Sequence, residues 1–296
     1  MELRNLRALI EVVRQGGFSQ AAKAVFATQS TVSKAVRQLE QEIGAPLLDR
    51  IGHRSSLTPT GEVVYRRALR MLAERDSLLT ELDDLRGLKR GTLRLGLPPV
   101  GSSILFAPLF ATYRTRYPGV EIRLVEHGAD RLEELVQAGE IELAASLLPT
   151  PKDFQFQMVR TEPITVLMPQ AQARNRRRID LSALKGVPFV MFEKGFALNR
   201  IILNACRRRG FEPQVVARSS QIDFIVELVS AGLGVAFLPR MIAERQQLAN
   251  VRHLALAEPD AQWQLAMMWR RDAYLSRAAQ AWLTIVRDSR TERATR

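Results

Sequence analysis

The sequence predicts an all-α head, a single long helix and an α/β region, in that order, over residues 1–58, 59–90 and 91–296. Three observations carry this. Two short segments near the N-terminus place apolar residues at helical spacing around a polar break, residues 60–90 repeat them at heptad spacing, and from Gly91 onward β-rich runs alternate with helical patterns.

In the head, Leu6, Leu9, Ile10 and Val13 form one face of a first helix over 3–14. Ala21, Ala22 and Val25 then recur in one short segment, and Val32, Ala35, Val36 and Leu39 in the next, so each has a face to bury. The small side chains of Ala21 and Ala22 permit a close helix crossing. Outward positions Gln29, Ser30, Thr31, Ser33, Lys34 and Arg37 all carry hydrogen-bond donors suited to base edges or phosphates, as a recognition helix requires. Residues 18–37 therefore read as a helix-turn-helix. Gly44 and Pro46 stop the second helix of the pair, and 47–58 has the glycine-containing, mixed character of a two-stranded wing. Arg50, His53 and Arg54 ride on that wing, where they fit either backbone contacts that fix register or plain solvent exposure.

Over 60–90, Val64, Ala68, Met71, Leu78, Leu82 and Leu85 follow four-three spacing with Arg75 as one polar seam position. A helix of that length extends on the order of 40 Å, more than the head needs for its own core. A second stripe at Tyr65, Leu69, Leu72 and Leu79 widens the face, and a homodimer seam is preferred over packing within the chain. Beyond it, β-rich runs at 93–97, 120–125, 141–147, 165–168, 189–192, 215–217 and 235–238 alternate with helices such as 132–138, 198–209 and 222–231. That alternation predicts α/β lobes with mainly parallel sheets.

The window from Leu6 to Gly61 contains Gly16-Gly17-Phe18-Ser19, Leu39-Glu40, Ile43-Gly44-Ala45-Pro46-Leu47-Leu48-Asp49-Arg50 and Leu57-Thr58-Pro59-Thr60-Gly61, and it resembles the LysR-type transcriptional regulators. Gly17, Ser30 and Leu48 depart from the family's usual Ser, Pro and Phe without removing a DNA-contact type. The resemblance implies a winged helix-turn-helix, a linker helix and a two-lobed, periplasmic-binding-protein-like effector domain. It places lobe I at 91–162 and 268–296 and lobe II at 163–267, with crossovers near 161–165 and 263–269. It also implies promoter DNA, a small effector, a homodimer or homotetramer, and RNA polymerase as partners. Glu193-Lys194-Gly195-Phe196-Ala197-Leu198, Ala217-Arg218-Ser219-Ser220-Gln221 and Ala231-Gly232-Leu233-Gly234 resemble the CidR-type subgroup, which implies a small organic acid, a carboxylate, as effector.

Ligands of open α/β sheets sit beyond the carboxyl ends of strands. Pro98-Pro99-Val100-Gly101-Ser102-Ser103 follows the first strand, and there Ser102 and Ser103 fit a carboxylate contact or simple helix caps. Ser146, Phe196, Ser219, Ser220 and Gln221 occupy equivalent places on other loops. Ser219 and Ser220 share the cap ambiguity, and Phe196 fits a pocket wall or packing.

Apolar content of 46% with 25% charged residues indicates a globular chain. The formal charge of +12 suits a polyanion, yet residues 1–58 hold eight Lys or Arg against five Asp or Glu, only +3 of it. The runs Arg174, Arg176, Arg177, Arg178 and Arg207, Arg208, Arg209 read as solvated faces. A lone cysteine, Cys206, and scattered His53, His127 and His253 offer neither disulfide nor metal-ligand spacing. No metal or cofactor is expected. Met1-Glu2-Leu3-Arg4 runs straight into an amphipathic helix and no long apolar run follows, so a cytoplasmic protein without a membrane span is expected. A hydrolase lacks its elbow, because Gly101-Ser102-Ser103-Ile104 has no second glycine, and Gly232-Leu233-Gly234 reverses the strand-to-helix order of a dinucleotide loop. A stand-alone solute-binding protein would need an export signal and no reading head.

Overall fold

Helical spacing in the first residues becomes three packed helices, α1 (Leu3–Arg14), α2 (Phe18–Ala24) and α3 (Gln29–Ile43). The structure is a computed structural model describing residues 1–49, 56–85, 91–173, 176–246 and 248–294. Leu6, Leu9, Ile10 and Val12 of α1 meet Ala21 and Ala22 of α2 and Val32, Val36 and Leu39 of α3 in one apolar core. Val12 takes the inward place expected for Val13, which is only partly buried. Gly44 ends α3 in the left-handed conformation, φ 76°, which a residue without Cβ adopts at no steric cost. A short antiparallel pair, β1 (Leu48–Asp49) and β2 (Ser56–Leu57), follows. Arg50, His53 and Arg54 lie outside the described residues.

Thr58 joins this pair to the linker α4 (Pro59–Leu85). Its hydroxyl donates to the Pro46 carbonyl at 2.8 Å and accepts from the Gly61 amide at 2.9 Å, while Pro59 fills the first helical position. Two expected seam positions are spent within the chain: Ala68 is 1% exposed in the head core, and Val64 packs on it with Tyr65, Leu69 and Leu72. The first turns of α4 roof the three-helix head, so Ala68 is withdrawn from any seam and the exposed apolar positions of the stripe begin at Met71. From there Met71, Leu78, Leu79 and Leu82 stay exposed, and the Leu85 side chain lies outside the described residues.

The chain divides into two compact units, Met1–Gly87 with Gln137–Glu140, and Leu88–Val136 with Ile141–Arg296. The second begins with β3 (Gly91–Leu97), α5 (Ser102–Leu105), α6 (Ala107–Arg116), β4 (Val120–Glu126), α7 (Ala129–Ala138) and β5 (Leu143–Leu147). It continues through β6 (Phe154–Pro169), α8 (Gln170–Ala173), β7 (Arg178–Ile179), β8 (Phe189–Phe192), α9 (Ala197–Arg208) and β9 (Val215–Ser219). α10 (Ile222–Ser230), β10 (Ala236–Pro239), α11 (Arg240–Ala243), β11 (Val251–Leu256), β12 (Gln262–Arg270) and α12 (Arg277–Ala294) complete it.

One eight-stranded sheet runs β4-β3-β5-β12-β6-β11-β7, with β10 also paired to β6, and β8 and β9 form a separate parallel pair. The long strand β6 makes two lobes of it. Its residues up to Pro163 pair with β12 beside β5, and from Ile164 it pairs with β10 and β11 instead. Two expectations are corrected. The sheet is mixed, since β3 runs parallel to β4 and β5 but every pairing of β6, and that of β12 with β5, is antiparallel. Strands that cross between lobes run back against their neighbours, which βαβ counting misses. Lobe I resumes at Gln262 rather than at 268, because all of β12 pairs within lobe I, where Trp263, Leu265 and Met267 alternate into its core. In that core Trp282 of α12 stacks against Phe106 at 6.2 Å and meets Tyr113 edge-on at 5.6 Å, while the Tyr113 hydroxyl donates to the Ala278 carbonyl.

Candidate nucleic-acid interface and effector cleft

At the N-terminus of α3, Thr28 is the cap: its hydroxyl accepts from the Thr31 amide at 3.2 Å and lies 2.8 Å from the hydroxyls of both Ser30 and Thr31. Gln29, Ser30, Thr31, Lys34 and Arg37 are exposed, Ser33 is half-buried, and Val32, Val36 and Leu39 fix the opposite face. Lys34 and Arg37 have no ion pair among the described residues, so their charge is available to a polyanion. Sequence reading had named the donors but not Thr28, the residue that sets their first turn.

In the α/β unit the predicted effector residues divide between two cavities flanking the 98–101 loop. Ser103, Ser220 and Gln221 line a cleft of about 570 Å³ with Pro99, Ile104, Asp223 and Arg245. Ser146 and Phe196 instead line a small apolar pocket with Pro98, Val100, Leu198 and Trp263. Gly101 stands between them at φ 93°, and a Cβ there would come within 2.9 Å of the Trp263 ring.

Ser102 and Ser219 line neither cavity. The Ser102 hydroxyl donates to the Pro98 carbonyl, and Gly101 rather than a serine occupies the cap of α5. Ser219 accepts from the Gln221 amide at 3.0 Å, closing the turn before α10. Ser146 is 1% exposed and donates to the half-buried Glu133 at 3.2 Å, so a carboxylate already accepts its hydroxyl proton. Phe196 stacks on Phe192 at 5.2 Å and thus packs and walls the pocket at once. Arg245 was missed because nothing in its local pattern separates it from any exposed arginine. Trp263, a large aromatic in a strand beside a glycine loop, was legible in principle.

The basic runs differ from expectation at one point. Arg209 pairs with the buried Glu258 at 2.8 Å, so it is held by the fold rather than solvated. Burial pushes the Cys206 thiol up to about 11, which leaves it without a thiolate near neutral pH. No helix among the described residues is long and apolar enough to cross a membrane.

A reading helix on a three-helix head, a long helix and a two-lobed α/β unit define the architecture of a ligand-controlled DNA-binding regulator. Residues 3–62 match the bacterial regulatory helix-turn-helix protein model of the lysR family, and residues 86–291 match the LysR substrate binding domain. The HTH-type transcriptional regulator YwbI of Bacillus subtilis (strain 168) is 35% identical over 285 residues, covering 96% of this chain and 95% of its own. Full-length OxyR from Pseudomonas aeruginosa has a TM-score of 0.72 at 24% identity, with 97% of this chain and 95% of that one covered. Full-length CbnR, solved with its target DNA, has a TM-score of 0.63 at 20% identity, covering 98% and 100%. The chain belongs to the LysR family of transcriptional regulators, with a DNA-binding helix-turn-helix and an effector-binding domain. It is a regulator and not an enzyme.

Proposed function

We propose that this regulator reads promoter DNA as a homodimer or homotetramer and answers to a small anionic metabolite, a carboxylate, in the cytoplasm. Gln29, Ser30, Thr31, Ser33, Lys34 and Arg37 would enter the major groove, as the exposed donor face of α3 supports. Arg50 and Arg54 would grip the backbone, and Met71, Leu78, Leu82 and Leu85 would carry the seam. Target DNA bound to the structurally similar CbnR supports the same mode of use. The CidR-type subgroup and contact with RNA polymerase belong to the same proposal.

For the effector, one observation carries the reading. The cleft of about 570 Å³ gathers Ser103, Ser220 and Gln221 with Arg245, an arginine that has no ion pair among the described residues. Three neutral donors and one cation match a carboxylate, and Asp223, which also lines the cleft, would repel an anion placed beside it. An anion at Ser146 would instead face the Glu133 carboxylate. Ligand affinity must differ between lobe arrangements for this to alter DNA binding.

Calorimetry of the full chain against a panel of small carboxylates tests it. One saturating binder per chain, abolished in Arg245→Ala and absent for the matching amide, is expected. Equal binding of acid and amide, or an indifferent Arg245→Ala, would refute the anionic class.

A further inference from the structure

Phe26 lies in the turn between α2 and α3 and is 99% exposed. It is also, at φ 54°, the only non-glycine residue in the left-handed region among the described residues. Both features cost stability: a Cβ is crowded in that backbone conformation, and a whole benzyl group stands in water. Among the described residues the ring joins neither the head core nor any aromatic pair. Gly or Asn at this position would relieve both costs, so the fold itself gives no reason for phenylalanine.

The turn is firmly built. The Ala27 amide donates to the Ala22 carbonyl at 2.9 Å, and one residue later Thr28 caps α3. Phe26 is therefore carried three residues ahead of Gln29, on the segment that would reach duplex DNA with the N-terminus of α3. A phenyl ring cannot donate to phosphates or to base heteroatoms. In the major groove its one apolar counterpart is the 5-methyl group of thymine, which no other base presents.

We propose that Phe26 is a specificity-determining residue that packs against a thymine methyl at the edge of the major groove, beside the hydrogen-bonding positions of α3. The inference rests on the reading that α3 enters that groove. It adds a preference for thymine over cytosine at one position per half-site, and it explains why an unfavourable residue occupies the turn.

The test uses the full chain and the tightest duplex that it recovers from a random library, in two forms: with thymines, and with deoxyuridines that lack only the methyl. Wild type is expected to bind the deoxyuridine form about fourfold more weakly per contacted half-site, the ratio for one methyl-sized group buried. Phe26→Asn and Phe26→Gly, both compatible with a positive φ, should bind the thymine duplex more weakly and lose the methyl dependence that Phe26 supplies, while their thermal midpoints stay level or rise. Variants that bind both duplexes as wild type does would overturn the proposal, as would losses equal on the two duplexes. Gln29→Ala is the control arm. If it is silent too, the reading by α3 fails; if it weakens binding while Phe26→Asn and Phe26→Gly do not, the proposal fails alone.

Discussion

Arg200 of α9 and Glu133 of α7 meet at 3.2 Å from opposite lobes, and the same Glu133 oxygen accepts the Ser146 hydroxyl, also at 3.2 Å. Asp130 adds a second carboxylate to Arg200 at 3.4 Å, and its amide donates to the Gly195 carbonyl, so the lobes are clasped beside the small apolar pocket. Glu133→Ala should cost about 1–3 kcal/mol, since it leaves Ser146 buried without its acceptor. Arg200→Ala, at an arginine 45% exposed, should cost less than about 1 kcal/mol because water screens the pair. Denaturant unfolding of both variants checks the order, and equal losses would contradict it.

Thr58 ties the wing to the linker through two hydrogen bonds of one hydroxyl, donated to Pro46 and accepted from Gly61. Thr58→Ala should lower stability by about 1–2 kcal/mol, the usual loss of a helix cap. Thr58→Ser keeps the oxygen and should recover most of it. Thermal unfolding followed by circular dichroism reads both.

Leu82 and Ala68 lie on the same heptad pattern but have different surroundings. Leu82 is exposed and Ala68 sits in the head core. Leu82→Asp should therefore split the assembly in sedimentation while the monomer keeps its melting temperature. Ala68→Asp should destabilise the head itself, because it buries an unpaired charge. An unchanged assembly in Leu82→Asp would remove that part of α4 from the seam.

His253 supplies a pH dependence. Burial lowers its pKa below the ordinary 6.5, against smaller opposing effects of a backbone hydrogen bond with Gln246 and the charge of Glu244. Its Nε2 is buried without a hydrogen-bond partner among the described residues. The unfolded chain thus takes up the proton first as pH falls. Stability should be level above about 6.5, drop as pH falls from there toward the folded value, and then level off again. His253→Leu should flatten that window in pH-dependent melting, and an unaltered slope would assign the protons elsewhere.

Much of this molecule was legible in its sequence. Helical spacing and the Gly44 stop placed α3, because amphipathic helices closed by a left-handed glycine need no tertiary information. Crossover strands were harder. β6 changes partners at Pro163, and its polar stretch Arg160-Thr161-Glu162-Pro163 reads as the end of a strand rather than as the middle of one. Among site residues, the donors of α3 could be read because one face of a helix fixes its other face. Ser102 and Ser146 could not, since a hydroxyl's partner depends on how the backbone turns around it: the Pro98 carbonyl, four residues back in the same loop, in one case and Glu133 of α7 in the other. Val64 and Ala68 show the same limit, as periodicity reports a buried stripe but not what buries it.

Selection of duplexes from a random library by the full chain, repeated with Gln29→Ala and Thr31→Ala, tests the central claim most directly. The account predicts that wild type recovers a repeated half-site and that each variant relaxes one base position, losing about 1–3 kcal/mol of discrimination there. Recovery of no common sequence by wild type, or of the same sequence with equal preference by both variants, would contradict it.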